Sequence, residues 1–166
     1  MVEINNHFRT GLLLGSNIGN KKSQLKRALK MIEKTAGRII GQSSIYKTEA
    51  WGNEDQPEFY NMAVLIETTL NPQQLLHEIL KVESKMGRVR KKKWEDRIID
   101  IDILFYNDEV LDLPELHIPH PQLTERKFAL TPLAELEPDW IHPVTGKNIN
   151  TLLTECTDKL AVHLIE

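Results

Sequence analysis

Two aspartates separated by one residue are the clearest candidates for a chemical role in this 166-residue sequence. Asp100 and Asp102 lie in an apolar segment, residues 97–106, that predicts a β-strand. Successive strand side chains alternate between faces, so the two aspartates share one face with Cα atoms about 6.6–6.8 Å apart. Carboxylates so placed repel each other unless a cation lies between them. The pattern suits a Mg²⁺ site, although for this motif alone a solvated strand face paired with lysine or arginine is the more frequent interpretation.

A basic segment immediately precedes this strand. Within thirteen residues it carries seven cations against Glu95 and Asp96, in a chain of net charge −3: Lys85, Arg88, Arg90, Lys91, Lys92, Lys93 and Arg97. Arginine binds phosphate through two parallel hydrogen bonds and lysine acts as a point charge, so the position beside the aspartates makes phosphate binding as good an interpretation as a solvated surface. Trp94 adds a ring that can stack on a flat ligand. The alternative is a solvated charge run.

Further candidates are aromatic, amide and titratable side chains. Phe59 and Asn61 alternate onto the less apolar face of a predicted strand, where we expect them to lie beside the two aspartates. An aromatic plate and an amide suit a flat heterocycle, and Phe128 is a candidate second plate. His120, between two prolines, is a candidate hydrogen-bond partner for a phosphate group. Glu83 lies on or near the apolar stripe of a predicted helix, which is unusual for a carboxylate. It is either a functional residue or a residue at the edge of the stripe. Taken singly, each aromatic is more often a core residue than a ligand contact, and a loop histidine is more often an incidental surface residue.

The elements that must position these groups follow the order β-α-β-β-α-β. Periodicity and cap residues predict strands over 8–14, 38–47, 58–69 and 97–106, helices over 21–34 and 72–86, an edge strand over 109–111, and helical stretches over 132–136 and 150–157. In the strand that carries the aspartates, we expect Ile99, Ile101, Ile103 and Phe105 on the opposite face. The order is typical of a ferredoxin-like α+β fold, with an antiparallel sheet, helices on one face and a C-terminal extension.

The composition is that of one globular domain. The chain is 40% hydrophobic and 27% charged, and its length suits one core, so a single domain over residues 1–166 is expected. A single cysteine, Cys156, excludes an internal disulfide. No apolar run approaches the roughly 20 residues of a membrane span, and the start lacks an export signal. We therefore expect a cytoplasmic protein without a membrane partner, and the negative net charge argues against nucleic-acid binding.

Taken together, the motifs resemble those of the 6-hydroxymethyl-7,8-dihydropterin pyrophosphokinase family of folate biosynthesis. The resemblance covers residues 12 to about 136, and the pattern R-x-x-D-x-D-I with an upstream G-R-x-R is specific. It rests on Gly15-Ser16-Asn17, Tyr46-Lys47-Thr48, Asp55-Gln56-Pro57, Phe59-Tyr60-Asn61, Gly87-Arg88-Val89-Arg90, Trp94, Arg97-Ile98-Ile99-Asp100-Ile101-Asp102, Pro119-His120 and Arg126-Lys127-Phe128.

The resemblance implies a ferredoxin-like, monomeric enzyme that transfers the pyrophosphoryl unit of ATP to the hydroxymethyl oxygen of 6-hydroxymethyl-7,8-dihydropterin and releases AMP. Asp100 and Asp102 match the ligands of two Mg²⁺ ions, the implied cofactor, and the implied catalytic set adds Arg88, Lys93 and Arg97. The pterin pocket, with its ring between two phenylalanines, is matched by Thr48, Trp51, Phe59, Asn61, Trp94 and Phe128. The ATP site is matched by Glu83, Arg88, Arg90, Trp94, Arg97, Ile103, His120 and Arg126.

Three residues depart from the family pattern, and two rival functions fit part of the sequence. Lys93 stands where the best-known members carry arginine, Glu49 where proline is frequent, and Glu115 where a basic residue is expected near ATP. One rival is a non-catalytic nucleic-acid-binding module, but the aromatic-rich strand motif of RNA-recognition modules is missing and strand carboxylates would repel a phosphate backbone. The other is a nucleotidyltransferase that transfers AMP and releases pyrophosphate, which product analysis distinguishes.

Overall fold

The structure of the protein is a computed structural model in which residues 6–48, 57–87 and 98–165 are described. These ranges contain eight β-strands: β1 Phe8–Ser16, β2 Arg38–Gln42, β3 Tyr46–Thr48, β4 Phe59–Thr68, β5 Asp100–Tyr106, β6 Leu111–Leu113, β7 Leu116–Ile118 and β8 Val162–Leu164. They also contain a 3-10 turn, Leu123–Glu125, and four α-helices: α1 Lys21–Thr35, α2 Pro72–Lys85, α3 Lys127–Leu136 and α4 Ile149–Glu155. The predicted α+β class is confirmed.

The two long helices form where caps and apolar spacing predict them. At the start of α2, the Asn71 side chain accepts a hydrogen bond from the Gln74 N–H at 2.8 Å, and the Gln74 side chain accepts one from the Asn71 N–H at 3.0 Å. This reciprocal pair, with Pro72 at the first helical position, satisfies donors that a helix start leaves open. α1 begins in a similar way, because the Asn20 side chain accepts from the Ser23 N–H at 3.1 Å.

A six-stranded antiparallel sheet lies at the centre of the described fold. Its strand order is β5-β1-β4-β3-β8, and β2 also pairs with β4. β1 pairs with β4 on one side and with β5 on the other, so that Leu14 lies opposite both Met62 and Ile101. The last seven residues of β1 are buried, because a central strand has neighbours on both sides and helices above and below.

The single strand predicted over residues 38–47 is wrong, because two strands, β2 and β3, occupy this segment. Between them, Ser43 donates its N–H to the Ala63 carbonyl at 2.9 Å, and its hydroxyl accepts from the Ala63 N–H at 2.9 Å. Ser44 instead donates its N–H and its hydroxyl to the Glu135 carboxylate on α3. Side-chain groups therefore replace the regular backbone pairing at this break.

Helices cover both faces of the sheet, which corrects the prediction of helices on one face. α1 and α2 pack on the face that presents Leu12, Leu14 and Val64. α3 and α4 pack on the opposite face, because Leu13 and Leu65 also have to be covered there. We call this second face the site face; by strand alternation it carries Leu13, Gly15, Phe59, Asn61, Ala63, Leu65, Asp100 and Asp102.

A β-bulge changes the direction of the last side chains of β5. Gly11 of β1 pairs with Phe105, whereas the next residue, Leu12, pairs with Ile103. Leu104 is therefore the extra residue of the bulged strand. Phe105 consequently packs in the cluster under α3 and α4. The prediction that Phe105 shares a face with Ile103 is wrong, because simple alternation does not allow for an inserted residue.

The chain after β5 adds a hairpin, two helices and an edge strand. β6 and β7 pair with each other in a separate two-stranded sheet, so the edge strand predicted over residues 109–111 begins later and does not join the main sheet. The predicted helical stretches correspond to α3 and α4. β8 pairs with β3 and is not predicted from the sequence, because three residues are too few for a recognisable alternation. None of the described helices is long and apolar enough to cross a bilayer.

Candidate active site

The two aspartates lie in β5, at the edge of the main sheet, and share its site face. Gly15 of β1 pairs with Asp100 on one side and with Asn61 on the other. Two residues along β1, Leu13 pairs with Asp102. Neighbouring strands are about 4.7–4.9 Å apart, so the Cα atoms of Asn61 and Asp100 lie roughly 10 Å apart across Gly15. The structure therefore brings the predicted metal ligands and the predicted amide into adjacent rows of one face.

Asn61 and Thr48 form a buried pair at one end of this row. The Asn61 Nδ2 donates a hydrogen bond to Thr48 Oγ1 at 2.7 Å, and both residues are buried. Thr48 is the last residue of β3 and pairs with Phe59 of β4. Phe59 is half-buried and lies two residues from Asn61, on the same face. Three of the predicted pterin-pocket residues thus lie together where β3 pairs with β4.

The aspartates are accessible and carry the donor atoms that magnesium prefers. Both are half-buried, and the Asp102 side chain retains 30% of its exposure. Residues 6–48, 57–87 and 98–165 contain no cluster of three or more His, Cys, Asp or Glu side chains able to hold a metal ion. Two carboxylates still fit Mg²⁺, which keeps several waters and is usually held by one or two carboxylates plus substrate phosphates. The pair therefore suits a magnesium–phosphate complex better than a closed metal site.

Arg126 connects the aspartates with the predicted aromatic plate. Its Nη1 lies 4.0 Å from Asp102 Oδ2, and its Nη2 donates a hydrogen bond to the Gln122 side chain. Its guanidinium carbon lies 5.6 Å from the centroid of the Phe128 ring, within cation–π range. Arg126 caps α3 and Phe128 lies in the first turn, so the start of one helix positions both side chains.

His120 is fixed next to β5 as a neutral donor. Its backbone N–H donates to the Leu104 carbonyl at 2.9 Å, and its Nδ1 accepts from the Gln122 N–H at 3.1 Å. Burial, the largest effect, and the Arg126 cation lower the pKa of His120 to about 4, while Asp100 opposes the shift. The imidazole is therefore neutral at pH 7, and because Nδ1 accepts, Nε2 carries the proton. His120 can donate one hydrogen bond to a phosphate without contributing a charge.

Glu83 is a buried carboxylate at the edge of β5 that pairs with no described strand. It is 2% exposed, and its Oε2 accepts a hydrogen bond from the Ile101 N–H at 2.9 Å. Because β5 ends the strand order of the described sheet, a side chain takes the place of a neighbouring strand for that N–H. The bond holds the residue between Asp100 and Asp102. Ile103, by contrast, packs in the core under α1 and α2, on the face of β5 opposite Asp100 and Asp102.

Six predicted site residues lie outside the described ranges: Trp51, Arg88, Arg90, Lys93, Trp94 and Arg97. Their roles stay predictions.

The structure adds three residues to which the sequence assigns no role. Gly15 lies between Asn61 and Asp100, and its signal is its place in a Gly-Ser-Asn motif that ends a buried strand. Gln122 contacts both Arg126 and His120. The third, Glu135, ties α3 to the start of β3 through hydrogen bonds from Ser44 and from the Tyr46 hydroxyl at 2.7 Å. The last two depend on contacts between distant segments, which no local motif reveals.

Solved structures share this fold. Wild-type HPPK-DHPS of Plasmodium falciparum aligns over 93% of this chain and 44% of its own, with a TM-score of 0.73 and 22% identity. An HPPK-DHPS in complex with substrates aligns over 90% of this chain and 43% of its own, with a TM-score of 0.73 and 18% identity. This chain spans less than half of either protein, and at these identities the likeness concerns the fold alone.

Curated relatives are closer in sequence. The 2-amino-4-hydroxy-6-hydroxymethyldihydropteridine pyrophosphokinase of Aquifex aeolicus is 42% identical over 88% of this chain and 91% of its own length. The protein of the same name from Methylorubrum extorquens is 40% identical over 89% of this chain and 92% of its own. A family profile described as 7,8-dihydro-6-hydroxymethylpterin-pyrophosphokinase matches residues 11–138. The profile matches three-quarters of the chain, and Asn61, Gly15 and Asp100 lie side by side on the site face. The chain therefore belongs to the 7,8-dihydro-6-hydroxymethylpterin-pyrophosphokinase family.

Proposed function

We propose that this protein transfers the pyrophosphoryl group of ATP to the hydroxymethyl oxygen of 6-hydroxymethyl-7,8-dihydropterin and releases AMP, as a step of folate biosynthesis. The family and the names of its relatives support this reaction. The structural observation that carries the proposal is the row of Asn61, Gly15 and Asp100, with Asp102 next along β5. One end of the row offers an amide and a ring for a heterocycle, and the other offers carboxylates for a magnesium–phosphate complex.

The reaction forms a bond between the hydroxymethyl oxygen and the β-phosphorus of ATP, breaks the bond from that phosphorus to the oxygen that stays on AMP, and releases the hydroxyl proton. Such transfers depend on charge neutralisation and in-line placement more than on covalent chemistry. Two Mg²⁺ ions, when bound, would neutralise phosphate charge and orient the attacking and leaving oxygens. Asp100 and Asp102 would hold them, since their side chains share one partly exposed face.

On the pterin side, Asn61 and Thr48 would recognise the polar edge of the ring, and Phe59 and Phe128 would cover its two faces. The 2.7 Å hydrogen bond between Asn61 and Thr48 supports this assignment, because it fixes the amide before a ligand arrives. Phe59 belongs to a strand and Phe128 to the first turn of α3, so the two plates come from different elements. The family resemblance adds Trp51 and Trp94 to this pocket.

On the ATP side, His120 would donate its Nε2–H to a phosphate and Arg126 would supply a cation next to Asp102. The 4.0 Å separation of Arg126 and Asp102 supports a guanidinium that can bind phosphate beside the metal site. Glu83 and Ile103 are assigned to ATP by family resemblance, and the Glu83 bond to the Ile101 N–H supports an additional role in holding β5. The same resemblance assigns ATP or its transferring phosphates to Arg88, Arg90, Lys93, Trp94 and Arg97.

We also propose that the fold is ferredoxin-like, that the chain forms one domain over residues 1–166, and that it acts as a cytoplasmic monomer without nucleic-acid or membrane partners. The strand order β5-β1-β4-β3, with one helix after β1 and another after β4, supports the ferredoxin-like topology. Both substrates are small molecules, which a single subunit can bind.

Product identification tests the reaction. The protein is mixed with Mg²⁺, ATP and 6-hydroxymethyl-7,8-dihydropterin, and the expected products are AMP and the pterin pyrophosphate. Release of pyrophosphate with an adenylylated pterin would mean adenylyl transfer, and release of ADP would mean transfer of one phosphoryl group. Either result would contradict the proposal. A matched reaction with a chelator should form no AMP, and an unchanged rate there would contradict the magnesium assignment.

A further inference from the structure

Gly15 leaves open a space that two side chains of the site occupy. A Cβ atom at this position would lie 2.5 Å from Asn61 Oδ1 and 3.3 Å from Phe59 Cδ1. The first distance is far below van der Waals contact, so the Asn61 amide lies directly over the Gly15 backbone. Asn61 Oδ1 therefore lies over β1, which pairs on its other side with β5, the strand that carries the aspartates.

The backbone does not explain why this residue is glycine. The positive φ angles of described glycines occur at Gly19, Gly87 and Gly146, so Gly15 has a conformation open to any residue. Glycine inside a strand is also unfavourable relative to residues with a side chain. The missing side chain is therefore the relevant property, since it makes room for the amide.

Asn61 cannot move aside freely to accept a methyl group at Gly15. The residue is 4% exposed, and its side chain donates the 2.7 Å hydrogen bond to Thr48 Oγ1. A displaced amide would lose that bond inside the protein, where an unmade hydrogen bond is costly. A methyl group at Gly15 would therefore change the amide that the proposed function assigns to the pterin edge.

We infer that Gly15 is a positioning residue for pterin. Its missing side chain lets the Asn61 amide lie over β1, and the position of this amide determines where the pterin ring binds relative to Asp100. The inference rests on the proposed function. Gly15 itself contributes no group to the ligand and acts through Asn61 and Phe59. Its effect should therefore concern pterin binding and not ATP binding.

Gly11 provides a matched control on the same strand and the same face. A Cβ atom at Gly11 would lie 2.5 Å from the Phe105 ring, the same clash distance as at Gly15. Phe105, however, belongs to the core cluster under α3 and α4. Gly11 is four residues from Gly15, about 13 Å along a strand. Gly11→Ala should therefore cost stability without a specific effect on pterin.

The experiment measures binding by calorimetry for the wild type, Gly15→Ala, Gly11→Ala, Asn61→Ala and the Gly15→Ala/Asn61→Ala double variant. Pterin is titrated into protein preloaded with Mg²⁺ and a non-hydrolysable ATP analogue, and the analogue is titrated alone in parallel. We expect Gly15→Ala to weaken pterin binding at least about tenfold, and the analogue by less than about twofold. Gly11→Ala should bind both ligands within about twofold of the wild type. In the Asn61→Ala background, Gly15→Ala should add less than about twofold, because the group it displaces is gone.

A ligand-free readout keeps the inference separate from the proposed function. In ¹H–¹⁵N spectra of the free protein, the side-chain amide signals of Asn61 should shift in Gly15→Ala and stay in place in Gly11→Ala. A wild type that binds no pterin would refute the proposed function, while these signals would still decide whether Gly15 controls the Asn61 amide.

Three outcomes in folded variants would overturn the inference. The first is wild-type pterin affinity in Gly15→Ala, the second is additive losses in the double variant, and the third is an unshifted Asn61 signal. If Gly15→Ala alone fails to fold, the double variant should fold, since it lacks the amide that clashes. Failure of both variants to fold would show that Gly15 is required for folding and does not act by positioning the pterin ring.

Discussion

Acidification should destabilise this protein through His120. Burial, followed by the Arg126 cation, lowers the pKa of His120 from 6.5 to about 4, against the opposing effect of Asp100. The unfolded chain then binds a proton more readily than the folded one. The stabilising contribution is fully present above pH 6.5 and is lost as the pH falls through about 4. A pKa lowered from 6.5 to about 4 corresponds to about 3 kcal/mol in total, of which about 2–3 kcal/mol is lost between pH 7 and pH 4.5.

His120→Asn isolates this contribution. The asparagine Oδ1 can replace Nδ1 as acceptor for the Gln122 N–H, which lies 3.1 Å away, and the amide does not titrate. The assay is urea denaturation of both proteins at pH 7 and pH 4.5. The wild type should lose about 2–3 kcal/mol more unfolding free energy than the variant over this range. His163→Asn, at an exposed position, is the control and should follow the wild type. Equal losses in the wild type and His120→Asn would refute the assignment of a buried neutral imidazole.

Three further substitutions test the two sides of the site. Asp102→Asn should lower kcat by several orders of magnitude without unfolding the protein, because it removes a metal ligand and relieves carboxylate repulsion; AMP formation and urea denaturation measure both effects. Phe128→Ala should weaken pterin binding about 30- to 150-fold, through a lost stacking face and lost apolar contact, and leave ATP-analogue binding unchanged in calorimetry. Arg97→Ala should reduce kcat/KM for ATP far more than Lys92→Ala, because a guanidinium holds phosphate through two bonds.

Each of these expectations has a contrary outcome. Near-normal turnover in folded Asp102→Asn would exclude the carboxylate as a required metal ligand. Loss of ATP affinity with normal pterin binding in Phe128→Ala would mean that the two subsites are exchanged. Equal small losses in Arg97→Ala and Lys92→Ala would mean that the basic segment is a generic charged surface.

Local signals are sufficient for the two long helices, α1 and α2, and for the two faces of β4. α2 is predictable because its cap, its first proline and its apolar spacing lie within one short segment. The predicted alternation of β4 is also confirmed, with Ala63 and Leu65 on the site face and Met62 and Val64 on the other. The bulge at Leu104 is not predictable in this way, because it depends on how β5 registers against β1.

The site shows the same division between local and long-range information. The spacing of Asp100 and Asp102 is enough to place them on one face, and the face of Asn61 follows from the alternation of β4. The clash that a side chain at Gly15 would cause depends on the orientation of the Asn61 side chain, which comes from the neighbouring strand. The low pKa of His120 depends on burial produced by the whole fold. A sequence pattern therefore nominates reactive groups more readily than it describes what holds them.

The edge of the sheet is a suitable place for a pair of carboxylates. A central strand would bury them between two neighbours, whereas β5 pairs with one strand among the described residues and keeps Asp100 and Asp102 partly exposed. An edge strand is normally less fixed, because half of its backbone groups have no strand to pair with. Here Glu83 accepts from the Ile101 N–H, and the Leu104 carbonyl accepts from the His120 N–H. Two residues that the family resemblance assigns to the ATP site thus also fix the strand that carries the proposed metal ligands. The aspartates are therefore accessible to a phosphate and are held on a rigid strand.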